Sequence, residues 1–260
     1  MKRRALLIDA GRAALDEIID GCKVDVERMR DWLGTNVGGA WDAAEEIISL
    51  HNQPLATIER AVKWAGEADF AFVAFSGHGE IHEVRGVRSQ IVYVGQGTAE
   101  KIDFARLYPK SAKSIVICDA CRRIHVKSPI RMSLAESVQR YVKASSARYS
   151  RADYKREYLR LVGEAGGRYL VYSCSPGQLS GDDENHGGRF TSTLLRSAED
   201  WLTNEAKPRT HLTIGGAFGK AMPLVSTKSR AENKNYPQDA EAFSSIRSLS
   251  ASYPFVIRYD

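Results

Sequence analysis

Asp69-Phe70-Ala71-Phe72-Val73-Ala74-Phe75-Ser76-Gly77-His78-Gly79 is the stretch on which the fold turns. A continuous apolar run closed by turn residues at both ends reads as a strand buried in a sheet. Working outward, Ser114-Ile115-Val116-Ile117-Cys118 and Tyr169-Leu170-Val171-Tyr172-Ser173 have the same character, and Lys2–Ala10 carries a shorter one at Ala5-Leu6-Leu7-Ile8. Helical spacing lies between them. Cys22–Leu33 places Val26, Met29, Trp32 and Leu33 on one face, with Gly34 as a stop, and Leu55–Ala65 does the same with Leu55, Ile58, Val62 and Ala65. Phe190–Leu202 follows with Leu194, Leu195, Ala198 and Leu202. Strands alternating with helices predict an α/β fold, a mostly parallel central sheet flanked by helices on both faces. The whole chain, 1–260, reads as one domain.

The 260 residues are 43% hydrophobic and 27% charged, which excludes disordered and fibrous classes. The longest wholly apolar run, Phe70–Phe75, is far below the roughly 18 residues of a membrane span. Only four apolar residues separate the basic start from Asp9, too few for a secretory signal, so a soluble cytoplasmic protein is expected. The net charge of +5 is concentrated: residues 122–168 hold 12 basic against 4 acidic residues. A nucleic-acid patch there lacks interleaved stacking aromatics, which makes nucleic acid a weak candidate partner. Cys22, Cys118, Cys121 and Cys174 are too few for a disulfide scaffold. Cys118 and Cys121 form a C-x-x-C pair, but only His125 lies near enough to join them as a metal ligand.

In parallel sheets, sites form beyond the carboxyl ends of the strands. One central strand runs into Ser76-Gly77-His78-Gly79, the other into Asp119-Ala120-Cys121-Arg122. A thiol of ordinary pKa, about 8.5, is mostly protonated at neutral pH and needs a base beside it. His78 would be that general base and Cys121 the nucleophile, with the backbone N–H groups of Gly79 and Cys121 as oxyanion donors.

These residues resemble the caspase-like cysteine peptidases, and within them the metacaspases. The caspase pattern is Gln-Ala-Cys-x-Gly with a His about 50 residues upstream. Here Asp119-Ala120-Cys121-Arg122-Arg123 follows His78 by 43 residues, with Asp in place of Gln as in metacaspases, and Arg in place of the final Gly. Gly21-Cys22-Lys23-Val24-Asp25-Val26-Glu27-Arg28-Met29 is similar to their early segment, and Gly188-Arg189-Phe190-Thr191 to their small-subunit motif. The resemblance implies a caspase-like fold: a large-subunit-like part over 1–121, a basic linker or insertion over 122–168 and a small-subunit-like part over 169–260. It also implies that Asp25, Ser76 and Asp119 line the pocket for the residue before the scissile bond. Two carboxylates there suit a guanidinium, hence cleavage of protein substrates after Arg or Lys. Asp25 is expected in the first turn of its helix, where a carboxylate is favourable anyway.

Many metacaspases need calcium. This chain offers only Glu100 and Asp103 between Arg85 and Tyr108, and Arg122-Arg123 after the Cys, so neither calcium nor another cofactor is expected. Self-cleavage within 122–168 would fall at Arg148, Arg151, Lys155, Arg156 or Arg160, although Ala135–Val142 and Ala152–Val162 also read as basic helices. Activation by a protein partner, and a role in bacterial stress or anti-phage responses, come from the resemblance alone. Two other functions compete: an idle interaction module on the same fold, and partner or nucleic-acid binding through the basic segment. His82 reads as a loop residue, Asp182–His186 as an exposed acidic loop, Gly215-Gly216 as turn punctuation, and Cys174–Gln178 as part of the substrate groove.

Overall fold

The computed structural model describes residues 1–13, 18–98, 100–123, 149–183, 185–245 and 252–259. In chain order the elements begin with β1 (Arg3–Ala10), α1 (Gly21–Gly34), β2 (Ile47–His51), α2 (Leu55–Gly66) and β3 (Phe70–Gly77). Next come β4 (Gly79–Val84), β5 (Val87–Val94), β6 (Glu100–Asp103), a 3-10 turn at Phe104–Leu107, and β7 (Lys113–Ala120). The second half holds α3 (Arg151–Glu164), β8 (Gly167–Tyr172), β9 (Asp182–Asp183), β10 (Gly187–Gly188) and α4 (Arg189–Asn204). It ends with β11 (Thr210–Thr213), α5 (Ile214–Glu232), β12 (Glu241–Ser244) and β13 (Pro254–Arg258).

Six of these strands form the main sheet in the order β12-β8-β7-β3-β1-β2, parallel except for β12. The apolar runs are continuous because both faces of this sheet are covered. Ala5, Leu7, Phe70, Phe72, Ile115 and Ile117 face a core shared with α1, α3, α4 and α5. Leu6, Ile8, Ala71, Val73, Phe75 and Val116 face the opposite core, roofed by α2 and the β5–β6 pair. Successive strand residues therefore alternate between two dry environments. Phe70, Phe72 and Phe75 are all at most 1% exposed, and each such burial contributes roughly 1.5–3 kcal/mol.

The strand order reverses between β1 and β3: β2 lies on one side of β1, and β3, β7 and β8 on the other. A crevice forms at such a switch point, beyond the carboxyl ends of the strands. Register brings three polar residues level there, Asp9 with Ser76 and Ser76 with Asp119.

Several local expectations need correction. His82 lies in β4, paired with Ser89 of β5, so it is a strand residue rather than a loop residue. The alternation of β4–β6 is interrupted by Gly86 and charged residues, which hid a three-stranded antiparallel sheet. Gly215-Gly216 is not a turn but the first turn of α5, where Thr213 Oγ1 accepts the Gly216 N–H at 3.1 Å. Asp25 lies in the second turn of α1, which has no acidic residue in its first turn. The acidic loop at 182–186 includes β9, which pairs with β10 and leaves Asp182 half-buried. In the basic segment, α3 is a helix as the spacing over Ala152–Val162 allows, with a Ser150–Asp153 capping box. Arg148, His125 and the helix expected over Ala135–Val142 lie outside the described residues.

Candidate active site

β3 and β7 run side by side to a common end, with Ser76 opposite Asp119 and Gly77 opposite Ala120 as the last pair. His78 and Cys121 are the next residues on each, both half-buried at the mouth of the crevice. Gly79 makes their approach possible. A Cβ on it would lie 2.8 Å from the Cys121 carbonyl oxygen and 2.9 Å from Ala120 Cβ, so any side chain would push the two turns apart. The turn after β3 thus rests directly on the backbone of the expected nucleophile.

The Cys121 loop is held from beneath by Arg122. This side chain is buried: its Nε donates to Gln90 Oε1 at 3.1 Å, and one terminal nitrogen donates to Cys174 O at 3.1 Å and to Glu241 Oε2 at 2.7 Å. The guanidinium also stacks over Tyr172 at 4.1 Å. Gln90 Nε2 in turn donates to the Cys121 carbonyl at 3.2 Å. Residues 174–178 pack on the same loop, since Gln178 O accepts the Arg122 N–H and Gly177 N–H donates to Arg122 O. The sequence shows Arg122 as a motif neighbour of Cys121 and one charge of a basic segment; in the fold it anchors the Cys121 turn. His78 has an aromatic neighbour, Tyr93, whose ring stands edge-on at 6.3 Å and whose N–H donates to the His78 carbonyl. The Tyr93 hydroxyl, His82 and Lys101 all converge on one oxygen of buried Glu80, each at 2.8 Å.

The expected pocket residues are brought together. Ser76 Oγ donates to Asp25 Oδ2 at 2.6 Å and the Gly188 N–H donates to Asp25 Oδ1 at 2.8 Å. Asp119 Oδ2 accepts from the Thr191 N–H at 3.1 Å and its hydroxyl at 2.7 Å, and Oδ1 accepts from Ser180 Oγ at 2.6 Å. Gly188 lies between the two carboxylates, and Gly187 rests against Asp25. A methyl group on Gly188 would sit 2.5 Å from Asp119 Oδ2 and 2.9 Å from Asp25 Oδ2, and Gly187, at φ +78°, would meet Asp25 Oδ1 at 2.3 Å. Arg28, one turn after Asp25, donates to the His186 carbonyl and ties the β9–β10 turn to α1.

The electrostatics follow from this crowding. Burial pushes the Asp25 carboxyl well above the usual range, and the Asp119 and Asp182 charges push it further, against the Ser76 and Gly188 hydrogen bonds. Asp182, read from sequence as a solvated acid, is thus close enough to act on the pocket. Burial likewise raises Cys22, Cys118 and Cys174, which leaves three inert thiols around a half-exposed Cys121. Among the described residues no group of three or more His, Cys, Asp or Glu side chains is arranged to hold a metal ion. The position after Cys121 is an inward-facing arginine rather than a carboxylate.

Four of the expected self-cleavage positions stand on α3. Arg151 donates to Gly34 O at 2.6 Å, Lys155 pairs with Glu46 at 2.8 Å, Arg156 pairs with Asp153, and Arg160 pairs with Glu157 at 2.7 Å. Their peptide bonds lie within a regular helix whose Tyr154 and Tyr158 are buried in the core.

The family model for the caspase domain matches residues 2–242. Among solved structures, caspase-1 from Spodoptera frugiperda superposes with a TM-score of 0.57 at 15% identity, over 94% of this chain and 86% of that one. No curated relative matches the sequence significantly. The family model spans nearly the whole chain, and the chain belongs to the caspase-like cysteine peptidases.

Proposed function

We propose that the protein is a cysteine endopeptidase that cuts proteins after Arg or Lys, with Cys121 as nucleophile and His78 as general base. The observation that carries the specificity is the pair of carboxylates, Asp25 and Asp119, meeting across Gly188 beside the Cys121 turn. Asp25 is 3% and Asp119 4% exposed. Burial and the neighbouring Asp119 charge disfavour ionisation of Asp25, and a cation beside the two carboxylates offsets that penalty. A guanidinium fits best because its planar fork donates to two carboxylates at once. An aspartyl side chain would add a third negative charge to the same space.

In this mechanism His78 takes the Cys121 proton as sulfur attacks the carbonyl carbon. The N–H groups of Gly79 and Cys121 receive the oxyanion, and His78 returns the proton to the leaving amine. Water, deprotonated by His78, then releases the thioester. The helical setting of Arg151, Lys155, Arg156 and Arg160 disfavours them as self-cleavage sites, because a scissile segment must extend through the groove; that leaves Arg148.

The test is a peptide-cleavage assay with matched Arg, Lys and Asp reporters, with and without calcium, on wild type and Cys121→Ala. Cleavage after Arg that vanishes in the variant supports the reading. Cleavage after Asp overturns the pocket, and loss of nothing in Cys121→Ala overturns the dyad.

A further inference from the structure

Gln238 plays no part in the reading above, yet it is fully buried in the segment between α5 and β12. Its side-chain amide uses its whole hydrogen-bonding capacity. Nε2 donates to Ser173 O at 3.0 Å and to Ser180 Oγ at 3.1 Å. Oε1 accepts from the Gly181 N–H at 3.0 Å and from Arg189 at 2.7 Å. These partners permit one orientation only. Reversing the amide would set its NH₂ against two obligate donors and its oxygen against the Ser173 carbonyl. Its own N–H is held by Ser229 Oγ of α5 at 2.9 Å.

Ser180 is where this orientation matters. A hydroxyl has a single proton to give. Because the Gln238 amide already donates to Ser180 Oγ, the Ser180 proton is directed to Asp119 Oδ1, 2.6 Å away. With Thr191 holding Oδ2, the Asp119 carboxylate is fixed in plane and receives hydrogen bonds at both oxygens. The Ser180 carbonyl also faces Cys121 Sγ at 3.8 Å. The geometry points to Gln238 as a positioning residue that sets the direction of the hydrogen-bond chain Gln238–Ser180–Asp119, and so holds Asp119 ready for the basic side chain of the substrate. The inference rests on Asp119 being a pocket carboxylate. Gln238 itself does not touch substrate; it acts through Ser180.

Gln238→Glu tests the direction of the chain. It places an acceptor where Nε2 stood, so the Ser180 proton turns from Asp119 to the new carboxylate. Arg189 still pairs with the other carboxylate oxygen, so the buried charge keeps a counter-ion. Ser180→Ala removes the relay itself and serves if the first variant does not fold. Two rates are measured on each purified protein: kcat and KM on the Arg and Asp reporters, and alkylation of Cys121 by iodoacetamide, which carries no side chain to seat. Both variants are expected to lose about 10- to 100-fold in kcat/KM on the Arg reporter, mainly through KM, as for loss of a hydrogen bond to a charged group. Alkylation should proceed at the wild-type rate. Retention of full Arg cleavage in both variants overturns the role of Gln238 while leaving the pocket intact. Parallel loss of alkylation and cleavage overturns it in favour of simple packing. A wild type that prefers the Asp reporter overturns the pocket reading, and the inference with it.

Discussion

Asp25→Asn separates the stability of the free protein from its recognition of substrate, because the two should move in opposite directions. Asn fits the site: its carbonyl can accept the Gly188 N–H, now given to Oδ1 at 2.8 Å, and its NH₂ can donate to Ser76 Oγ, whose hydroxyl rotates to accept. The negative charge alone is removed. In the wild type that charge is disfavoured by burial first and by Asp119 second, so the folded-state pKa lies above the unfolded one. The carboxyl therefore favours folding while protonated, and that contribution is lost as pH rises through the raised pKa. Replacing a buried charge with a neutral isostere should gain about 2 kcal/mol near neutrality, or about 4–8 °C in Tm for a chain of this size. The gain should shrink as pH falls and Asp25 becomes protonated in the wild type. For an Arg substrate the sign reverses, because one partner of a buried ion pair is gone. Losing it costs about 3–5 kcal/mol, which is on the order of 100- to 5,000-fold in kcat/KM. Thermal melts from pH 5 to 8, beside steady-state cleavage of the Arg reporter, measure both. A variant that melts below wild type at neutral pH, or that cleaves after Arg at the wild-type rate, would refute the reasoning.

Three further outcomes follow from the geometry. Gly79→Ala should fold with a loss of about 1–3 kcal/mol and lose most turnover, since its methyl group must displace the Cys121 carbonyl 2.8 Å away; chemical denaturation and the Arg reporter read the two effects. Arg122→Met should destabilise by about 3–5 kcal/mol, because Glu241 loses its partner and the Cys174 carbonyl and Gln90 each lose a donor. The lost anchor should also lower kcat more than it raises KM. Phe72→Ala, remote from the crevice and 0% exposed, should cost about 3–5 kcal/mol with little change in kcat at a temperature where the variant is folded; denaturant unfolding beside steady-state kinetics checks it.

What the sequence made legible was whatever rests on periodicity and chain ends. The runs at Phe70–Phe75 and Ser114–Cys118 are buried on both faces, so their apolar continuity is itself the signal, and the residues at their carboxyl ends follow from the topology. Smaller elements were hidden by local chemistry. His82 shares a polar strand face with Glu80, and the hairpin turns at Gly86, so the segment reads as a loop. α5 opens on two glycines and carries Pro223, residues that argue against a helix until Thr213 is seen to cap it. Asp182 was judged by its acidic neighbours in sequence, whereas its effect on Asp25 depends on the pairing of β9 with β10. Gln238 and Arg122 had no pattern to betray them. Each matters through partners far away in sequence, 49 to 119 residues in the bonds Gln238–Arg189 and Arg122–Glu241.

The parallel pairing of β7 with β8 bears on how the molecule is assembled. The six register pairs from Lys113–Gly167 to Cys118–Tyr172 join the half of the chain that carries Cys121 to the half that carries Gly188 and Thr191. The covalent route between these two strands runs through residues 121–166. A peptide bond broken between β7 and α3 severs none of these six register pairs, so the ladder can still join the two parts of a nicked molecule. Its way back from the unfolded state changes in kind. Folding of the intact chain is unimolecular, whereas the two fragments must first find each other, at a rate proportional to their concentration. Such a cut would make the native state one that is reached once, during synthesis, and afterwards preserved by the slowness of its unfolding.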